Sequence, residues 1–411
     1  MRWRNPAELM RAPALRASLV FGLGGLGFAL GNLLLGRSLP VLEFALFSLI
    51  LSLVQLGIPL GSVGLNTIVI RNQLEPDSHL LLKALLTSSG VGLVLAVIGN
   101  TLYGIGPLLL LLLIVSIIAG AAGLLAAAHY QRERRFGLSL RLTQVPNFLV
   151  LLAALVPPVS NVYSAWLPCS IVAFGYIAFA ASSWSSLLAG RSETQSVSPH
   201  FKWHERLTIV GGQAARLLMV QLERLTIPMV LAIEDLATFA VLAAIVGSPF
   251  RILQQGVGHT LLPRLRAANS FRERKRLLLI EGATVMGVMA LSCAVVWLVT
   301  PLLVDWLLEG RYTLAPALVL AALLSGLARV AAAFGSTIVL AIGSPRHLHV
   351  LTLLSWGGVA LGLAGAVMGT RWGLTGLVYG VGVGWLAQGL ACSVLTYRAL
   401  HNTVDEDLLC Q

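Results

Sequence analysis

The sequence predicts an all-α integral membrane protein: twelve transmembrane helices arranged as two six-helix bundles around a central cavity. Three observations carry this prediction. Hydrophobic residues make up 57% of the 411 positions and charged residues only 11%, whereas soluble domains carry about 25% charged residues. The apolar residues form long unbroken runs. That pattern excludes an outer-membrane barrel, whose strands alternate apolar and polar residues, and leaves helices to satisfy the backbone in lipid. The basic residues fall on alternate loops, as an even number of crossings requires. A cytosolic enzyme and a secreted binding module are both excluded, because neither could cover its surface with so few polar residues.

A span needs roughly 20 mainly apolar residues. In chain order the candidates lie near residues 15–36, 40–69, 81–103, 106–129, 139–157, 164–189, 207–232, 236–262, 278–303, 313–341, 347–369 and 372–397. The first contains GLGGLGFALGN (22–32), whose glycines allow either close helix packing or a hinge; no GKS or GKT follows, so it is not a phosphate-binding loop. The second carries Ser48, Ser52, Gln55, Pro59, Ser62 and Asn66 in one stripe, a face expected to turn away from lipid and line the cavity. The fifth is the shortest and has Pro146, Pro157 and Pro158 within it or at its end. The seventh to tenth carry charge. The apolar stretch behind the first 16 residues is of full membrane length, so no cleavable signal peptide is expected.

Loop charges test the count. With the N-terminus inside, the inward ends and loops hold 21 of the 28 lysines and arginines, and the outward loops hold three: Arg37, Arg311 and Arg371. An incorrect span count would scramble this alternation. Both termini are therefore expected in the cytoplasm. The net charge of +11 is explained by these loops and gives no reason to expect a nucleic-acid partner. The membrane's lipids are the expected neighbours, with anionic head groups at runs such as RERRF (132–136) and RERKR (272–276).

The longest polar interruption, RSETQSVSPHFKWHER, spans residues 191–206. It is read as a cytoplasmic linker between bundles at 1–190 and 207–411. VLEFALFSLI (41–50) and LATFAVLAAI (236–245) align Phe44 with Phe239, Ala45 with Ala240 and Ile50 with Ile245; the same offset pairs Gly61 with Gly256 and Arg71 with Arg266. Two halves with an even number of spans share one orientation, so a repeat would have its axis along the membrane normal.

Subtracting the loop cations leaves four arginines within spans: Arg216, Arg224, Arg251 and Arg329. A charge near the bilayer centre costs about 2.5–3.5 kcal/mol on insertion scales. Glu223 is the one carboxylate clearly within a span, and pairing with Arg224 or Arg251 is the expected use for it. Four cations against one anion cannot all be neutralised by pairing, so a hydrated cavity or an anionic ligand must supply the balance. Structural salt bridges remain the plainer alternative for any one of the four. Arg216 and Glu223 are seven residues apart and share a helix face, with Gln213 and Gln221 extending the polar arc. Arg224, toward the outer leaflet, could instead reach the interface. Ser248, Arg251, Gln255 and His259 share a side of the eighth span, and Ser325, Arg329 and Ser336 a side of the tenth. Glu223 is also the candidate ion-coupling group, although neighbouring arginines favour its charged form and oppose a proton-carrying role.

No chemistry is visible beyond this. Cys169, Cys293, Cys392 and Cys410 have no CxxC spacing, so no metal site, disulfide framework or cofactor is expected. A membrane glycosyltransferase or polymerase would need a carboxylate cluster or a long external loop, and the longest outward loop is only about 304–312. A non-catalytic scaffold would have no use for charges in the bilayer.

At this level of detail the sequence resembles a known family. GNLLLGRSLPVLEFALFSLILSLVQLGIPLGSVGLNTIVIR (31–71) is similar to the opening of polysaccharide exporters: a glycine-rich first helix, a short turn, and a helix with an acidic–aromatic start. LLMVQLERLTIPMVLAIEDLATFAV (217–241), with Glu223 followed by Arg224, resembles the opening of the same family's second half. The turn SLPVLE before Glu43 lacks the glycine common there. The resemblance implies a Wzx-type O-antigen or polysaccharide flippase with a MATE-like fold, in the multidrug/oligosaccharidyl-lipid/polysaccharide (MOP) exporter superfamily. Twelve spans favour this group over lipid II flippases, which usually have fourteen. The implied cargo is an oligosaccharide on undecaprenyl diphosphate, moved by alternating access. The arginines would hold its diphosphate and the serines and glutamines its sugars. Glycosyltransferases and a polysaccharide polymerase are the implied protein partners. A multidrug efflux transporter of the same superfamily is the nearest alternative; it would favour acidic residues for organic cations.

Overall fold

The computed structural model describes residues 13–66, 69, 77–133, 135–189, 203–267 and 271–409. Among them the architecture is all-α, with no strand. The helices are α1 (Pro13–Ser38), α2 (Val41–Gly61), α3 (Ser78–Tyr103), α4 (Pro107–Arg132), α5 (Phe136–Ser160), α6 (Trp166–Ala189), α7 (Trp203–Val230), α8 (Ile233–Ile245), α9 (Gly247–Ala267), α10 (Phe271–Leu307), α11 (Pro316–Ile342), α12 (Pro345–Gly369) and α13 (Gly373–Leu409). Eight stretches among the described residues are long and apolar enough to cross a membrane, or nine if α8 and α9 count as one bent span. One of the eight, Arg346–Arg398, covers nearly all of α12 and most of α13. With its lipid-like exposed surface of leucine, valine and tryptophan, this is a multi-pass membrane protein.

Two predicted spans are corrected. The second is not one helix to residue 69. It ends at Gly61, where the chain turns through Val63 at φ 44° and Gly64 at φ 70° before Leu65 and Asn66 are helical again. Gly64 tolerates the left-handed conformation, whereas β-branched Val63 is strained in it. The stripe read as continuous therefore divides: Ser48, Ser52 and Gln55 lie on α2, Ser62 caps its end, and Asn66 follows the turn. The eighth span is also broken, by 54° between α8 and α9. The sequence there is Gly247-Ser248-Pro249. Pro249 has no N–H to donate, and its ring crowds the carbonyl of Ile245 four residues back, which is where α8 stops.

The chain packs as two compact units. One comprises Leu26–Leu217 with Ile227–Ala240; the other comprises Met1–Gly25, Leu218–Thr226 and Val241–Gln411. In the first, α4 is central, packed by α2, α3, α5 and α6. Trp184 on α6 donates its indole N–H to the Ala122 carbonyl of α4 at 2.9 Å. The Glu43 carboxylate near the start of α2 accepts from the Ser164 hydroxyl at 3.0 Å and the Ala165 N–H at 2.5 Å. It thereby caps the start of α6, where free N–H groups and the helix dipole favour an anion. Gly31 sits against the α5 backbone: a Cβ there would lie 2.7 Å from the Leu151 nitrogen. Of the two uses open to the glycine-rich segment, Gly31 shows close packing.

In the second unit, α13 packs along α11 and α12. The α12–α13 contact is backbone on backbone. Gly358, Gly362, Gly365 and Gly369 face Gly376, Gly380 and Gly384; a Cβ on Gly384 would lie 2.6 Å from the Gly362 Cα and 2.7 Å from the Gly358 carbonyl oxygen. Small residues at four-residue spacing allow this approach, and in lipid such packing is a main source of helix association.

Candidate functional site

The second unit holds most of the intramembrane charge. Arg329 stands at the middle of α11, thirteen residues from either end. Its guanidinium donates from Nη2 to the Glu223 carboxylate on α7. This corrects the expected pairing of Glu223 with Arg224 or Arg251. Glu223 and Arg224 are neighbours about 100° apart around α7, and α11 delivers Arg329 to the carboxylate. Arg224 is 4% exposed and Glu223 1%; Arg224 therefore does not extend to an interface. Arg251 follows the α8–α9 break by a few residues and is half-buried. Arg224 lies within electrostatic range of Arg251, Arg329 and Glu223, and Arg251 within range of Arg329. Among the described residues, three guanidinium groups and one carboxylate share this region of the unit.

Aromatic and polar groups complete it. The Arg329 Cζ lies 5.4 Å from the ring centroid of Trp385 on α13, close enough for a cation–π contact. Ser325, one turn before Arg329, lies 3.6–3.9 Å from the Cβ position of Gly382, which is three residues before Trp385. Three buried atoms here have no hydrogen-bond partner: Arg329 Nε, Ser325 Oγ and Trp385 Nε1. Buried polar groups are almost always satisfied, so three such atoms on one helix interface single it out as a candidate site.

The other residues singled out in the sequence are placed as follows. Arg216 lies on the part of α7 that belongs to the first unit and is exposed. Gln213 is half-buried there, while Gln221 is buried with the second unit. Ser48, Ser52 and Ser62 are wholly buried in the first unit. The Ser52 hydroxyl donates to the Ser48 carbonyl at 2.7 Å, and that of Ser62 to the Pro59 carbonyl at 2.8 Å with Asn66 Oδ1 at 3.3 Å. The Ser48 hydroxyl has no partner. Gln55 and Asn66 are half-buried. The side chains of Gln255 and His259, and Arg71 and Cys410, lie outside the described residues.

Sequence reading did not single out Trp385. A tryptophan in an apolar run carries no signal by itself. The usable clue was its neighbourhood in GVGVGWLAQG (380–389), where glycines bring a second helix close and Gln388 adds a buried amide.

No family model matches the sequence, and no curated protein does. Solved structures match over nearly the whole chain. A lipid II flippase, MurJ, in an inward closed conformation superposes with a TM-score of 0.63 at 13% identity, covering 95% of this chain and 91% of that one. An inward-facing multidrug resistance MATE family transporter of the MOP superfamily gives 0.60 at 12% identity, covering 95% and 99%. A Vibrio cholerae MATE transporter variant gives 0.59 at 16% identity, covering 95% and 96%. The chain has the fold that these proteins share.

Proposed function

We propose that this protein is a flippase that carries an undecaprenyl-diphosphate-linked oligosaccharide, an O-antigen or other polysaccharide repeat unit, across the bacterial inner membrane by alternating access. The observation that carries this reading is the gathering of Arg224, Arg251 and Arg329 in one membrane-spanning unit, with Glu223 paired to Arg329. Keeping cations in the bilayer is costly, and a diphosphate repays it through charge-assisted hydrogen bonds. The fold shared with a lipid II flippase supports a lipid-linked cargo. The twelve spans in two bundles and the cytoplasmic termini belong to the same reading, supported by the loop charges, as does a role for Arg216 in capturing the head group. The sugars would be held by Gln213, Gln55 and Asn66, which keep accessible surface. Downstream polymerase and upstream glycosyltransferases are the partners it calls for. No bond is broken, so the protein acts as a transporter rather than an enzyme.

The fold is equally that of multidrug transporters, and efflux of organic molecules is the second reading. The three gathered arginines argue against organic cations as cargo.

The deciding experiment is reconstitution into vesicles with a labelled undecaprenyl-diphosphate oligosaccharide. Arg251→Ala and Arg224→Ala are expected to slow flipping at least tenfold without loss of folding, and Arg216→Ala to slow it as well. Normal flipping by folded Arg224→Ala and Arg251→Ala would refute the assignment.

A further inference from the structure

Arginine presents a fork of N–H donors, and a carboxylate or phosphate fits it best when two parallel donors are used. Glu223 accepts from Arg329 Nη2, while Arg329 Nε is buried and unused. The fork is therefore half occupied. The other two orphaned groups lie on the same helix interface: the Ser325 hydroxyl one turn away, and the Trp385 indole N–H on the ring that the guanidinium covers. The residues Ser325 and Trp385 are each 3% exposed, and 22% of the Arg329 side chain is accessible.

We infer that Arg329, Ser325 and Trp385 form an oxyanion subsite that takes a phosphate group of the cargo, and that Glu223 occupies the arginine in its absence and is displaced when the phosphate binds. The chemistry matches on each count. Separate phosphate oxygens accept from Nε, from the serine hydroxyl and from the indole N–H, so the orphaned donors are satisfied together. A carboxylate supplies only acceptors, so Glu223 holds Arg329 in place between cargoes and keeps its charge from being buried alone. Trp385 can only donate through its nitrogen, which selects an anion over a cation. This subsite rests on the proposed flippase reading for the identity of its cargo, but its ligand chemistry is testable without transport.

The test uses the full-length protein in phosphatidylcholine nanodiscs, titrated calorimetrically with inorganic pyrophosphate. Trp385→Phe keeps the ring and removes the N–H; Ser325→Ala removes the hydroxyl with little change of shape. Each is expected to weaken binding about tenfold, the usual effect of losing one hydrogen bond to a charged group. Glu223→Gln is expected to tighten it, because the competing carboxylate is gone. Unchanged affinity in both Trp385→Phe and Ser325→Ala overturns the subsite even if Glu223→Gln fails to fold. Loss of the pyrophosphate response in nanodiscs containing phosphatidylglycerol also overturns it, because the occupant would then be a bilayer head group. If flipping remains normal in both conservative variants while Arg251→Ala abolishes it, the subsite fails and the flippase reading stands. If no variant affects flipping but the pyrophosphate affinities change as expected, the subsite stands and the flippase reading fails.

Discussion

Glu223 and Arg329 are 106 residues apart in sequence and form an ion pair inside a membrane-spanning unit. Breaking a buried pair leaves one charge uncompensated, which costs about 3–5 kcal/mol, more than the pair itself contributes. Arg329→Gln should therefore lower the midpoint of detergent-induced unfolding strongly. The double variant Glu223→Gln/Arg329→Gln should recover much of that loss, because neither charge remains. Equal destabilisation by the double and single variants would show that the ion pair contributes through packing alone.

The α12–α13 hairpin gives a prediction with an internal control. A Cβ at Gly380 would collide with the Gly365 carbonyl, whereas one at Gly357 meets nothing within 4 Å. Overpacking costs about 1–3 kcal/mol, while glycine to alanine in an open helical position gains about 0.8–1 kcal/mol. Gly380→Ala should be destabilising and Gly357→Ala neutral or stabilising in the same unfolding assay. The same sign for both would remove the close approach as an explanation.

Glu43 ties the start of α2 to the start of α6 through Ser164 and Ala165. Loss of a helix cap costs about 0.5–2 kcal/mol. Glu43→Ala should produce a loss of that size and faster hydrogen exchange at the first turn of α6, with the rest of the first unit unchanged. A change spread evenly over the unit would argue against a local capping role.

Tyr312 lies in the loop between α10 and α11 and is 3% exposed. Burial pushes its phenol up to about 12, with Arg311 opposing. The folded state thus holds this proton more tightly than the unfolded chain. The stability from this group is fully present below pH about 10 and is lost as pH rises toward 12. Ultraviolet titration of Tyr312→Phe should lose one tyrosine's share of the late amplitude, and the alkaline loss of stability should be shallower in that variant.

Parts of the site were legible in the sequence because charge in an apolar run is conspicuous: Arg224, Arg251, Arg329 and Glu223 could all be found by position. Their partners could not. The assignment of Glu223 to Arg329 depends on which helix approaches α7, and helical spacing orders residues only along their own helix. Trp385 is silent in sequence because an indole is common in membrane helices. The break at Gly247-Ser248-Pro249 did have a local signal, the proline four residues after Ile245, but the surrounding hydropathy ran through it. The end of α2 at Gly61 had weaker warning, since Pro59 and Gly64 are both tolerated in membrane helices.

The sequence by itself determined that the chain lives in a bilayer, that it is helical, and that it carries buried cations, because these follow from composition and one-dimensional periodicity. The tertiary structure alone decided which cation meets the carboxylate, which donors are left over beside it, and where glycines let two backbones touch. Those are properties of side chains from distant segments meeting in space, and no local pattern along the chain encodes them.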